Sequence, residues 1–121
     1  MIVYGAASLL HFLHNAIYIR AYPNLPKWIT PFWISASWCA ITAVGALGYW
    51  IYRRVSRLGG LLIIGIYALL GFGGLDHYVI APMSAHSIAM NATILAEVAA
   101  ASALVIYLAH SLRAERRPFR F

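Results

Sequence analysis

Four long apolar runs limit what this chain can fold into, because each approaches the ~20 residues that a helix needs to cross a ~30 Å hydrocarbon layer. They cover residues 1–19, 31–52, 58–77 and 85–110, and short basic or helix-breaking segments separate them. The first run stops at RAYPNLPKWITP, where Pro23, Pro26 and Pro31 oppose helix and Arg20 and Lys27 bring charge. The second opens on Pro31, where a helix loses nothing by a missing N–H, and closes on Arg53, Arg54 and Arg57. Pro82, in DHYVIAPMSAHS, divides the third run from the fourth. Composition agrees: 63% hydrophobic and 10% charged residues, with mean hydropathy +0.76, against ~45–50% and ~25% in a soluble domain. The expected fold is all-α, one integral membrane four-helix transmembrane bundle.

A formal charge of +6 raises the question of nucleic acid. The arginines, however, sit in short clusters between apolar runs and make no basic stripe or binding motif, so no nucleic-acid partner is expected. They read as topology signals. Lys and Arg in short loops stay on the cytoplasmic side, and Arg53, Arg54, Arg57, Arg113, Arg116, Arg117 and Arg120 fall on one side against Arg20 and Lys27 on the other. The expectation is a multi-pass protein of the cell (inner) membrane with both termini cytoplasmic. No basic n-region precedes the first run and no small-residue site closes it, so it does not read as a cleavable signal. Cys39 stands alone, which excludes an internal disulfide and a cysteine-based zinc site, and it reads as core packing, as does Met90. Ala85, Ala92, Ala96, Ala99 and Ala103, with Gly71 and Gly74, suggest close helix packing.

Function, if legible at all, lies in the polar residues within these runs. At ~100° per residue His11, Asn15 and Tyr18 share one face of the first helix, with His14 on its flank. His86, Met90, Thr93 and Glu97 line one face of the fourth. Asp76 and His77 end the third at the same outer level. A rise of ~1.5 Å per residue puts His14 and His11 ~8 and ~13 Å below the outer surface, Asn91 ~9 Å and Glu97 ~18 Å, so the stripes overlap in depth if they face each other. A carboxylate near mid-bilayer costs about 2.5–3.5 kcal/mol on insertion scales unless protonated or paired, and intramembrane ionisable groups point to function. His14 and Asn15 also suit interhelical hydrogen bonding, and Asp76 suits a helix end.

Imidazole with carboxylate suits copper, zinc or iron. The expected function is binding of a metal ion or metallo-cofactor in the outer half of the bilayer, with His11, His14, His77, His86, Glu97 and Asp76 as ligands. Asn15 and Asn91 would support them from behind. The spacing matches no zinc-finger or H-E-x-x-H pattern, and a carboxylate-bridged di-iron site would need more glutamates. A haem b held by His11, His14, His77 or His86, or a quinone headgroup site, is the alternative. A proton-linked cation transporter working as an oligomer is a third reading. Beyond the lipid bilayer, the expected partners are copies of the same chain or a larger membrane complex. No nucleotide, phosphate-loop or nucleophile-elbow motif is present.

Overall fold

The computed structural model describes residues 1–115 and is all-helical over them. The arginines expected in the tail at 116, 117 and 120 lie outside the described residues. α1 covers Ile2–Ile17, α2 Pro31–Arg54, α3 Arg57–Leu70, α4 Asp76–Ile80 and α5 Ile88–Glu115. Three helical stretches are long and apolar enough to cross a membrane: Pro31–Arg54, Arg57–Ile80 and Ile88–Glu115. α1 is also apolar but has only 16 residues.

The helix starts follow local chemistry. Thr30 caps α2, its hydroxyl accepting from the Trp33 N–H, with Pro31 next in line. Ser56 caps α3 by accepting from the Gly59 N–H at 3.1 Å, which allows the chain to reverse in a single residue or two after Arg54. Replacing Ser56 with alanine is expected to cost about 1 kcal/mol, the usual worth of such a cap, and denaturant titration of the purified variant measures it. The third span is not a uniform helix. It tightens to a 3₁₀ turn over Gly71–Leu75 before α4, where three glycines weaken α propensity.

The helices close into a ring: α1 packs on α2 and α5, and α3 packs on α2 and α5. Two features distinguish this ring from a soluble bundle. Large apolar side chains such as Ile2, Leu10, Ile17, Leu62, Ile66 and Ile106 point outward, while α1 buries Tyr4, Ser8, His11 and Asn15. α1 is thus apolar outside and polar inside, the arrangement that a lipid surround rewards and water would not. An apolar core of Leu61, Ile64, Tyr67, Ala68, Ala101, Leu104 and Leu108, with Tyr4 stacked on Tyr67 at 4.6 Å, fills one half of the bundle. The polar residues gather in the other half.

Two packing expectations are corrected. α5 buries Met90, Thr93, Ile94, Glu97, Ala101, Leu104 and Leu108, so its alanine line, Ala92, Ala96, Ala99 and Ala103, is exposed instead of packed inside. The glutamate and the large residues share a face, and the alanines occupy the remainder. Cys39 is exposed on α2 and not in the core, whereas Met90 is buried as expected. Gly71 and Gly74 are buried at close helix contacts.

Candidate functional site

The two polar stripes meet. α1 presents His11 and Asn15 inward, α5 presents Thr93 and Glu97, and α4 brings His77 between them. The imidazoles of His11 and His77 stand 5.4 Å apart, centre to centre, and those of His77 and His86 6.1 Å. His11, Asn15, His86, Thr93 and Glu97 are all buried.

Hydrogen bonds identify which ring nitrogens hold protons. The Thr93 hydroxyl donates to the Met90 carbonyl at 3.0 Å; its oxygen therefore accepts from the His11 Nδ1–H, at 3.4 Å. That leaves His11 Nε2 as an acceptor, and the Asn15 amide donates to it at 3.2 Å. The same Asn15 nitrogen donates to His77 Nε2, also at 3.2 Å. His86 Nδ1–H donates to the Pro82 carbonyl at 3.0 Å, so its Nε2 is a bare lone pair, buried and without a partner. Three imidazoles from three segments thus carry their protons on Nδ1 and offer Nε2. In His11 and His86 the Nδ1–H is anchored on a hydroxyl or a backbone carbonyl, which is how proteins orient histidine ligands.

Glu97 completes the cluster. It is 2% exposed, and its Oε2 lies 3.7 Å from His11 Nε2. Among the described residues no lysine or arginine pairs with it, the other ion pair being Arg57 with Glu115 at the opposite end of the bundle. Gly74 borders the pair: a Cβ there would stand 3.3 Å from Glu97 Oε2 and 3.7 Å from His11 Nε2. The absent side chain lets the 3₁₀ turn pass directly over the carboxylate.

The remaining expected site residues are placed as follows. His14 is turned aside, with Nδ1 2.9 Å from the Tyr22 hydroxyl and its ring against Tyr18 at 4.7 Å. Three residues beyond His11, it lies about 60° round the helix from the His11 line, which is why it joins the loop and not the cluster. Asp76 is exposed at the rim, at the start of α4, where it faces the helix dipole. Asn91 works at second hand: its amide donates to the carbonyls of Met83 and His86 and its oxygen accepts from the Tyr78 hydroxyl at 2.8 Å, which holds the loop that carries His86. Tyr18 is exposed. Among the described residues, no three His, Cys, Asp or Glu side chains already stand at the mutual spacing of a closed metal site.

Sequence reasoning missed Tyr22. It folds inward from the first loop and is 5% exposed, its ring tilted against His77 at 4.9 Å and approaching His86 at 6.3 Å. Burial pushes its phenol up to about 12, so it remains a protonated hydroxyl able to donate to His14. The signal was the pair Pro23 and Pro26, which bend the loop back over the bundle end; Asn24, in the left-handed conformation at φ 55°, ties it to the Ile80 carbonyl at 3.1 Å. Ser8, buried one turn before His11, was missed as well.

Comparison with known proteins returns no match: no protein family, no curated protein and no solved structure is similar to the chain.

Proposed function

We propose that the chain is a four-span membrane protein, both termini on the cytoplasmic side of the cell membrane, that holds a transition-metal ion of the copper, zinc or iron class between His11, His77, His86 and Glu97. The observation that carries this reading is the buried Glu97 carboxylate beside the His11 Nε2 lone pair, with His77 and His86 next in the cluster and, among the described residues, no lysine or arginine paired with it. A divalent ion supplies the missing charge, and imidazole with carboxylate is the donor set those metals prefer. At present the Asn15 amide bridges His11 and His77, its N–H hydrogens playing the electropositive part that a cation would take. Asn15 swinging aside and His86 turning inward would bring the imidazoles and Glu97 onto one ion. A bare ion suits this space better than haem, since rings 5.4 Å apart that share one amide leave no slot for a macrocycle.

Arg53, Arg54 and Arg57 end up beside the close of α5, where Arg57 pairs with Glu115 at 3.5 Å, while Arg20 and Lys27 lie in the loop at the site end. That asymmetry supports cytoplasmic termini and, with them, a site in the outer half. α1 serves as the fourth span, its outer face being wholly apolar. The apolar core below Glu97 argues against a through-pathway for ions. Assembly with further copies or a larger complex is part of this reading, and the exposed alanines of α5 offer a flat surface for it.

Element analysis tests the metal. Protein purified without chelator is expected to carry about one copper, zinc or iron per chain, retained in His110→Ala, whose side chain is exposed, and reduced at least tenfold in His11→Ala, tenfold being the lower end of what disturbing the surroundings of such a site costs. A metal-free wild-type protein that takes up none of the three ions sinks the proposal.

A further inference from the structure

A cavity of about 410 Å³ opens between α1, the loop 18–30 and α2 and ends on the polar cluster. Its size is that of a small-molecule site. Phe12, Trp28, Trp33 and Ile34 form its walls, and Asn15, His77 and Glu97 lie on its lining. Each of these three carries a buried polar atom without a hydrogen-bond partner: Asn15 Oδ1, His77 Nδ1 and Glu97 Oε2. Buried polar atoms usually pair, and these three belong to residues that line one cavity, where the head of a bound molecule would pair with them. The set contains both a donor, His77 Nδ1–H, and an acceptor, Asn15 Oδ1.

We infer that this cavity binds a neutral lipophilic ring compound of the quinone class, head toward Asn15, His77 and Glu97 and ring between the aromatic walls. Four properties of the site select that class. Among the described residues no lysine or arginine lines the cavity, and two carboxyl groups, Glu97 and the rim residue Asp76, do, which disfavours a fatty acid or phosphate. A plain acyl chain would leave all three polar atoms unpaired. Indole and phenyl walls favour a flat ring, stacked or edge-on. Finally, a quinone carbonyl accepts from His77 Nδ1–H, and the hydroxyl of the reduced form donates to Asn15 Oδ1, so both forms of such a compound find a partner. The inference needs no bound metal and goes beyond the metal reading.

The test uses the full chain in phosphatidylcholine nanodiscs, treated with EDTA so that failure of the metal reading leaves this result unaffected. Trp38→Phe and Trp50→Phe in the background confine indole emission to Trp28 and Trp33. Decylubiquinone is expected to quench that emission saturably at one molecule per chain. Asn15→Leu, which removes the head contact, and Ser37→Phe, which adds bulk at the exposed edge of the cavity without touching the core, are each expected to weaken binding at least tenfold. Quenching that never saturates, or that is equal in wild type and Ser37→Phe, overturns the proposal. So does equal competition by the dimethyl ether of the quinol, which would mean apolar filling alone, or displacement by tetraphenylphosphonium at equal concentration, which would assign the cavity to lipophilic cations.

Discussion

Glu97→Gln is expected to lower metal occupancy of the purified protein at least tenfold while leaving the helical circular dichroism spectrum unchanged. Glutamine keeps the volume and one acceptor but removes the only charge in the cluster that can balance a cation, so binding suffers and packing does not. The thermal response divides the two effects. A ligand bound only to the folded state stabilises it by RT ln(1 + [L]/Kd), about 2.7 kcal/mol at a hundredfold excess over Kd. Chelation should therefore lower the melting temperature of wild type and leave Glu97→Gln where it was. In metal-free protein the substitution should be neutral or stabilising, because a buried carboxylate without a cationic partner contributes little and costs its desolvation. Wild type that melts at one temperature with and without chelator, or a glutamine variant that binds as wild type does, would remove Glu97 from the site.

Gly60→Ala is expected to be the most destabilising single-methyl change in the bundle. Gly60 lies at the start of α3 against Tyr52 of α2, and a Cβ there would run into the Tyr52 backbone nitrogen and Cα. Overpacking of this kind costs about 1–3 kcal/mol, and the upper end applies when the obstacle is main chain that cannot rotate away. With a few degrees lost per kcal/mol in a domain of this size, the melting temperature should fall by about 10 °C. Gly65→Ala on the same helix is the internal control. Among the described residues nothing lies within 4 Å of a Cβ there, so the gain in helix propensity, up to about 1 kcal/mol, should appear undiminished. Equal melting temperatures for the two variants would contradict the α2–α3 packing described above.

Much of the helical layout was legible because bilayer physics writes it into composition. Runs of about twenty apolar residues, broken by Pro23, Pro26, Pro31 and Pro82 and by the arginines at 53, 54 and 57, put the second span within a few residues of Pro31–Arg54. The least accurate edges have local causes. α5 starts at Ile88 and not near Ala85 because Pro82 forces a 3₁₀ turn over Met83–Ala85 first, and it runs on to Glu115 because Arg113 and Glu115 are good helix formers. The third span is one helical stretch over Arg57–Ile80, but its apolarity concealed a change of helix type at Gly71–Leu75.

Periodicity was also enough to put His11 with Asn15 and His86 with Thr93 and Glu97 on shared faces, since helical spacing is a local property. Which faces meet is not local. The same periodicity made the alanine line of α5 look like a packing surface, and only the burial of the Glu97 face turned it outward. His14 illustrates the limit most clearly: three residues from His11 and equally suited to ligation, it is drawn off by a Tyr22 hydroxyl that the loop carries in from eight residues away.

The sequence by itself determined a membrane-type helical chain, the places where its helices break, and the polar residues that lipid would not tolerate outward. These follow from short-range causes, hydrophobic run length, proline chemistry and the 3.6-residue turn. The tertiary structure alone decided that His11, His77, His86 and Glu97 share one buried volume, that Tyr22 closes it and that a cavity leads to it. Those outcomes depend on the rotation of each helix about its axis and on a glycine-rich 3₁₀ turn passing over Glu97, where contacts between residues far apart in the chain, such as His11 with Glu97, outweigh any local preference.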